Sequence, residues 1–380
     1  MNRISVLHII HTLEHGGAEK LLLSTVREMK NSVNLTVCSM YGNDQLIEDF
    51  EAEDIPIFRL NWKNKYNPLI VFKLMQIIKQ VQPDLVHTHL FFATVYGRIA
   101  ARLGGIPVIS TEHNESNWNK NWFSRVAYRL SARYASRIVA VSEAVKTALI
   151  NKGQIPASKV SVLHNAIRVH EFRKSTPADR MHYNEFVVGS VGRLDHRKGF
   201  DVLLRAISKI KDSDIPIKCI LVGAGKEERK LKRLAAALKI EEQVVFVGMQ
   251  KDILPYLRQM QVFVLPSRNE GLGIALLEAM AAGCPVVASH VGGPAEIIEH
   301  GSNGWLVPPE NSGALASAIL RLQDGNLAQT LVRNAQRTVS EKFSMKNYVS
   351  KLMLEYSKIL NMKPEYRKKT HLLNQHQNTV

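Results

Sequence analysis

Short runs of valine, isoleucine and leucine alternate along this chain with amphipathic stretches of helical period. ISVLHII precedes such a stretch at 17–30, NLTVCSM one at 44–53, DLVHTH one at 92–103, PVISTEH one at 123–136 and RIVAVS one at 143–151. A run that is apolar at consecutive positions predicts a strand buried on both faces, and strands joined by helices predict parallel sheets covered on both sides. The alternation stops between His164 and Phe186, where the chain is polar and irregular and carries Pro177. It resumes at FVVGSVG and continues through IKCILVG, QVVFVG, VFVLP, PVVAS and GWLVP. The pattern predicts an α/β protein of two doubly wound, Rossmann-like domains, 1–165 and 187–345, joined by a linker at 166–186. A last helix is expected at 346–361, and 362–380 reads as a basic, flexible tail.

Composition narrows the class without choosing a function. The chain has 380 residues, 45% of them hydrophobic, enough for a core in each domain. No apolar run approaches the roughly 18 residues of a membrane span, and the N-terminal apolar run is too short for a secretory signal, so a cytoplasmic location is expected. Cys38, Cys219 and Cys284 lie in or beside strand-like runs at unrelated spacings, which suits reduced core thiols. A formal net charge of +16 is shared by both halves of the chain. It favours an anionic partner, and nucleic acid, a membrane surface and a phosphorylated small molecule all qualify.

Ligands of open parallel sheets bind outside the carboxyl ends of the strands, so the loops after strands hold the candidate chemistry. In HTLEHGGAEK, Gly16 and Gly17 open a helix where backbone N–H groups can face an anion; the plain alternative is a tight turn. In SVGRLDHRKGF, Arg193 follows a strand and Lys198 lies at the mouth of the next helix, two cations that suit a diphosphate unless they are solvated surface charges. In PSRNEGLGIALLEAM, the backbone of Gly271, Leu272, Gly273 and Ile274 offers N–H groups to a phosphate, and Glu270 can accept hydrogen bonds from hydroxyls linked to it. Glu278, inside an apolar helix, is read as the carboxylate of a ribose diol, with a buried salt bridge as the alternative. In STEHNES, His113 stands at a strand end, an address that favours it over His87, His89 and His164.

Other patterns are set aside. LVGAGKEERK lacks the third glycine of a dinucleotide fingerprint, and Asp212 and Asp214 precede a strand. No cluster of histidine and cysteine ligands is expected, hence no metal and no cofactor.

These loops, in this order, resemble the family-4 retaining glycosyltransferases, of glycosyltransferase group 1 type and GT-B fold. The resemblance runs from HGGAE through VGRLDHRKGF, ILVGAGKEER and FVGMQKDI to PSRNEGLGIALLEAMAAGCPVVAS and GGPAEIIEHGSNGWLVPP. It implies two Rossmann-like domains facing a central cleft. It also implies Arg193 and Lys198 on the donor diphosphate, Gly16 and Gly17 in a phosphate-facing loop, Glu270 at the donor sugar and Glu278 on the ribose. His113 matches a histidine near the transferred sugar, although Asn114 follows it where aspartate is more usual. VLHNAIRVHEF stands where relatives often have Pro-Asn-Gly. Base recognition is expected at VGMQKD, around Met249.

The function so implied is metal-independent transfer, with retention, of a sugar from a nucleotide-sugar donor, a UDP-sugar favoured. The acceptor would be a saccharide or a lipid-linked saccharide, in cell-surface polysaccharide or glycolipid synthesis. A basic nucleic-acid-binding protein would need aromatics interleaved with basic residues or a recognised motif, and the chain has neither. A non-catalytic nucleotide-sugar-binding scaffold is the other alternative. Residues 117–137 carry Lys120, Arg125, Arg129, Arg133 and Arg137 with no acidic residue, beside Trp118, Trp122, Phe123, Val126, Leu130 and Tyr134. This stretch reads either as an anionic-membrane surface, giving peripheral membrane attachment, or as an ordinary helix with its apolar face inward.

Overall fold

The computed structural model describes residues 3–42, 44–114, 122–173, 185–211 and 216–361. The chain divides into two compact units, Met1–Asn165 with Met345–Val380, and Ala166–Ser344. In the first, β1 (Ser5–Ile10), β2 (Asn34–Ser39), β3 (Ile57–Arg59), β4 (Leu85–His89), β5 (Val108–Glu112), β6 (Arg137–Ala140) and β7 (Val160–Val162) form one sheet. Its order is β3-β2-β1-β4-β5-β6-β7, and each pairing is parallel. Helices α1 (Gly17–Met29), α2 (Ile47–Glu51), α3 (Ile70–Val81), α4 (Phe91–Leu103), α5 (Trp122–Ala132) and α6 (Glu143–Asn151) lie between the strands in the chain.

The second unit opens with α7 (Val169–Arg173). Its strands β8 (Phe186–Val191), β9 (Ile217–Val222), β10 (Val244–Gly248), β11 (Val262–Leu265), β12 (Val286–Ser289) and β13 (Trp305–Val307) run in the order β10-β9-β8-β11-β12-β13, again parallel. Between and after them come α8 (Phe200–Ile210), α9 (Glu228–Ala237), α10 (Leu254–Gln259), α11 (Ile274–Ala281), α12 (Pro294–Ile297), α13 (Ser312–Arg321) and α14 (Gly325–Lys342). The last helix, α15 (Met345–Ile359), belongs to the first unit, where it packs on α1 and buries Tyr348, Leu352 and Tyr356.

The continuous apolar runs are buried as their pattern requires: all of β4, β11 and β12, and β1 from Val6 onward. Helices α3 and α4 close one core over Leu7, Ile9 and Val86; α8 and α13 close the other over Val188, Leu221 and Val264. Removing each such side chain from water contributes about 1.5–3 kcal/mol. Cys38, Cys219 and Cys284 are buried thiols in no disulfide, and burial pushes Cys38 and Cys219 up to about 12.

Strand order reverses between β1 and β4 in the first sheet and between β8 and β11 in the second. Neighbouring connections leave in opposite directions there, which opens a crevice at the carboxyl ends of those strands. The loops that carry Gly16 and Gly17, Arg193 and Lys198, and Glu270 all follow strands that flank these points.

Two expectations change. Residues 166–173, at the head of the expected linker, are built into the second unit: Ile167 bridges Ser344, and α7 packs on α11. Helix α5 does not turn its apolar stripe inward. Its inward face is Tyr128, Ser131 and Ala132, whereas Phe123, Leu130 and Tyr134 are 75%, 50% and 45% exposed. The cause is buried charge. Arg98 of α4 has no exposed surface; it lies 3.8 Å from Glu112 and donates to Ser110 at 2.9 Å, and its guanidinium stands 4.7 Å from the centre of the Tyr128 ring. Tyr128 donates its hydroxyl to Glu112 at 2.6 Å, so the polar end of that tyrosine has to face in. Trp118 and Lys120 of the same expectation, Pro177, Asp212, Asp214 and the tail 362–380 lie outside the described residues.

Candidate functional site

After β8 the chain turns at Arg193–Lys198. Asp195 accepts the N–H of Arg197 at 3.0 Å and starts one short turn, which ends at Gly199 with φ +65°. A Cβ at Gly199 would lie 2.0 Å from the carbonyl oxygen of Pro266, so glycine is what lets the loop after β8 touch the loop after β11. Across that contact Lys198 Nζ meets Glu270 Oε2 at 2.5 Å, and Ser267 donates its hydroxyl to the same oxygen at 3.1 Å. Both charged side chains keep some exposure, 22% and 14%.

Arg268 holds the two loops together. Its guanidinium donates to both oxygens of Asp201 at 2.8 Å, to Glu310 at 2.8 Å and to the carbonyl of His196 at 2.9 Å, while its backbone N–H bonds the Arg197 carbonyl at 2.7 Å. The Arg268 bonds hold the Asp201 carboxyl below its ordinary range. Bidentate, charge-assisted bonds of this kind fix orientation as well as distance.

Beyond Glu270, Gly293 approaches so closely that a Cβ there would lie 2.2 Å from Leu272 Cα. Gly271, Leu272 and Gly273 are buried, and Gly273 takes φ +97° to start α11. Among the described residues no backbone hydrogen bond takes up the N–H groups of Leu272, Gly273 or Ile274. Glu278, one turn into α11, is 8% exposed. Met249 follows the positive-φ Gly248 and is 49% exposed. Arg193 is exposed, and among the described residues its guanidinium has no ion-pair partner. The second unit thus brings Lys198, Glu270 and the start of α11 together; the charge of Arg193 stays in solvent.

In the first unit Gly16 is the N-cap of α1, and a Cβ there would lie 2.2 Å from Glu19 Oε2. The buried carboxylate of Glu19 therefore already faces the positive end of α1, and an incoming phosphate has to compete with it. His113 follows β5, with both ring nitrogens shielded from solvent and without a partner. Burial lowers its pKa to about 4, so the imidazole is neutral at pH 7.

The histidine reading needs a correction. His8 and His87 are register partners across β1 and β4, and His89 lies two residues on, on the same face. His8 Nδ1 meets His89 Nε2 at 3.0 Å; His87 bonds the Tyr356 hydroxyl at 2.7 Å and the Thr111 hydroxyl at 2.8 Å. One ring nitrogen from each lies within 4.8 Å of the others, a spacing a metal could use. The rings are buried and neutral, the form a metal would need, and His8 Nε2 and His89 Nδ1 have no hydrogen-bond partner among the described residues; no carboxylate belongs to the group, so a divalent ion there would keep its full charge in a buried site. Burial drives His8 down to about 3 and His87 and His89 well below their ordinary value. The cluster is a stack of neutral rings under His113, whose ring lies 5.8 Å from that of His89.

Arg268, Asp201 and this stack escaped sequence reading. The usable signals were a basic residue between a strand and the Glu270 turn, and histidines at the ends of two strands whose adjacency only the sheet order reveals.

Two family models cover the chain in succession: Glycosyltransferase Family 4 matches residues 15–171 and Glycosyl transferases group 1 matches residues 173–338. An uncharacterized glycosyltransferase of Methanocaldococcus jannaschii is 34% identical over 73% of this chain and 76% of its own length. The UDP-Gal:alpha-D-GlcNAc-diphosphoundecaprenol alpha-1,3-galactosyltransferase of Escherichia coli is 25% identical over 92% and 96%. Among solved structures, the Anabaena protein HepE in complex with UDP-glucose is similar with a TM-score of 0.84 and 28% identity, over 94% of this chain and all of that one.

Two outcomes follow from the geometry. Arg268→Ala should destabilise the protein by about 2–3 kcal/mol, and Arg268→Lys should recover less than half, because lysine keeps the charge and loses the fork. Denaturant titration of the single variants and of Arg268→Ala with Asp201→Ala should give a coupling of about 1–2 kcal/mol; additive effects would count against the strut. The buried histidines set a pH dependence. Their folded-state values lie below the unfolded 6.5, so the unfolded chain binds more protons and stability falls as pH drops from about 6.5 toward 4. Each histidine that stays neutral contributes a slope of about 1.4 kcal/mol per pH unit. His8→Gln should remove about one proton from that slope; a flat profile between pH 7 and 5 would contradict the burial of neutral rings.

Proposed function

Because the chain belongs to the family-4 glycosyltransferases, of group 1 type and GT-B fold, we propose that it transfers a sugar from a UDP-sugar to a saccharide or lipid-linked acceptor, with retention and without a metal. The observation that carries this reading is the Lys198–Glu270 pair, locked between two strand-end loops beside the unpaired N–H groups that open α11. Lys198, joined by the exposed Arg193, neutralises the donor diphosphate. The N–H groups of Gly271 to Ile274 face its oxygens. Glu270 accepts a hydroxyl of the donor sugar and Glu278 the ribose diol, and the loop at Met249 meets the base. His113, neutral at pH 7, accepts a hydrogen bond from a sugar hydroxyl. Gly16 and Gly17 let the chain approach the diphosphate once Glu19 yields.

Fixed cations stabilise a leaving diphosphate as its charge grows, which is the role a divalent ion plays elsewhere. The acceptor hydroxyl attacks the anomeric carbon on the face from which the diphosphate departs. The C–O bond to the diphosphate breaks, and the hydroxyl proton passes to the departing oxygen. The UDP-glucose complex of HepE supports a UDP donor, and the name of the E. coli relative supports a diphosphate-linked lipid acceptor.

Attachment to the inner face of a membrane belongs to the same reading. Trp122 is 61% exposed and Phe123 75%, and Arg125 and Arg133 beside them are exposed as well. Arg129 and Arg137 are occupied otherwise, on the carbonyls of Lys152, Gly153 and Ser158. No described helix is long and apolar enough to cross a membrane. Aromatic rings at headgroup depth with flanking arginines, each contributing about 1 kcal/mol near an anionic leaflet, give surface attachment.

Turnover with a panel of UDP-, GDP- and ADP-sugars tests the assignment. Lys198→Ala should lower turnover by about 10²-fold or more, as loss of other preorganised charge stabilisers does, and EDTA should leave the rate unchanged. Activity abolished by EDTA and restored by Mg²⁺ or Mn²⁺ would refute the metal-free site. Co-sedimentation should show binding to anionic vesicles that weakens with salt and is lost in the Arg125→Glu, Arg133→Glu variant; equal binding to neutral vesicles would refute the membrane surface.

A further inference from the structure

The carboxyl edge of the first sheet carries a group of rings that the proposed donor chemistry leaves unused. His11 follows β1, Tyr41 lies just beyond β2, and Phe92 opens α4 after β4. The order β2-β1-β4 sets these three side by side. Ring centres lie 4.4 Å apart for His11 and Tyr41, 5.8 Å for His11 and Phe92, 5.6 Å for Phe92 and Tyr66, and 6.4 Å for Phe92 and Tyr96. Tyr66 meets Phe92 edge-on and is 61% exposed. Lys65 Nζ stands 5.3 Å from the centre of the Tyr66 ring and 5.8 Å from that of Phe92, and its side chain is exposed.

The arrangement is built at a cost. Leu90, between β4 and α4, takes φ +66° and ψ 158°, a region that belongs to glycine and costs a leucine about 1–3 kcal/mol. That turn separates two neighbours: Phe91 is buried and stacks on Tyr128 at 5.9 Å, while Phe92 stays half-buried as the hub of the ring group. The loop bearing Lys65 is held from below, since Tyr96 donates its hydroxyl to the Lys65 carbonyl at 3.0 Å and Tyr41 approaches the same oxygen at 3.5 Å. Strain and hydrogen bonds together hold this ring group, with Tyr66 and Lys65 exposed and His11 and Phe92 half-buried, at the strand ends where parallel sheets bind their ligands.

We propose that His11, Tyr66 and Phe92, with Lys65 at the rim, form a subsite for the acceptor, and that the acceptor they fit is a saccharide carrying an anionic group. A pyranose has one face of C–H bonds that packs on aromatic rings and a rim of hydroxyls that stays wet. The ammonium of Lys65, already poised over two rings, pairs with a neighbouring phosphate or carboxylate. A diphosphate-linked saccharide and a uronic acid share this chemistry. The inference rests on the transferase reading and adds to it which acceptors the first unit selects.

Saturation-transfer NMR on the full chain with UDP bound tests it, using methyl N-acetylglucosaminide, methyl glucuronide and an N-acetylglucosaminyl diphosphate ester of a short alkyl alcohol. Irradiating aromatic protons should transfer saturation to the pyranose C–H protons of at least one anionic probe, and which one responds identifies the source of the charge. Tyr66→Ala and Lys65→Gln, both at exposed positions, should each weaken that probe about five- to tenfold, a loss of about 1–1.4 kcal/mol, and leave UDP affinity unchanged. Transfer to none of the probes, unchanged affinity in both variants, or neutral glycoside binding as tight as the charged probes would overturn the subsite. Failure of the unaltered protein to bind UDP would instead overturn the transferase reading.

Discussion

A parallel sheet whose strand order reverses must send the connections on either side of the reversal to opposite faces. Nothing then covers the carboxyl ends of the two central strands, and polar groups can collect there without disturbing the core. In this chain the reversal happens twice, at β1/β4 and at β8/β11. The histidine stack, Phe92 and the Gly16 turn gather at the first; Lys198, Glu270 and Arg268 gather at the second. The apolar runs that fix the sheets are separated in the chain from the polar groups of the candidate site, which begin where each run stops.

This separation explains what the sequence made legible. Consecutive apolar residues in β4, β11 and β12 announce strands buried on both faces, so the two doubly wound sheets could be read directly. The closeness of Lys198, Glu270 and the start of α11 was legible because each sits in one short segment after such a run. Arg268 is another matter. It stands next to recognised residues, yet its role depends on Asp201, 67 positions earlier, and on Glu310, 42 later. The same holds for His8 and His87, which become neighbours only through the β1–β4 register. Pattern along the chain reports burial; it does not report which buried or half-buried polar groups find each other.

Helix α5 shows how one buried polar group can override a periodic pattern. By period alone Phe123, Leu130 and Tyr134 belong inside. Arg98 and Glu112, 0% and 1% exposed, need hydrogen bonds that water cannot supply, and the Tyr128 hydroxyl provides one of them. An unpaired charge at that depth would cost several kcal/mol, more than the burial of one further phenylalanine returns. The helix therefore rotates to satisfy the pair, and its apolar stripe is left in solvent with Arg125 and Arg133.

The Lys198–Glu270 pair follows a similar logic with a different outcome. Both ends stay partly exposed, so the pair itself contributes little to stability. Its effect is on what the site can accept. Without ligand, the lysine is neutralised by the glutamate and the loop is held by Arg268, so among the described residues Arg193 is the one cation of the loop after β8 whose charge is left to solvent. Under the proposed function, an arriving diphosphate would bring more negative charge than one carboxylate and meet a lysine already in place. The glutamate, once released from the lysine, would be left as a strong acceptor beside Ser267 for the hydroxyls of a diphosphate-linked sugar. A lone phosphate could take the lysine and would leave the glutamate without a donor. A ligand offering both a diphosphate and hydroxyls would satisfy the two at once, and under the proposed function that coupling would select a nucleotide sugar over a simple anion.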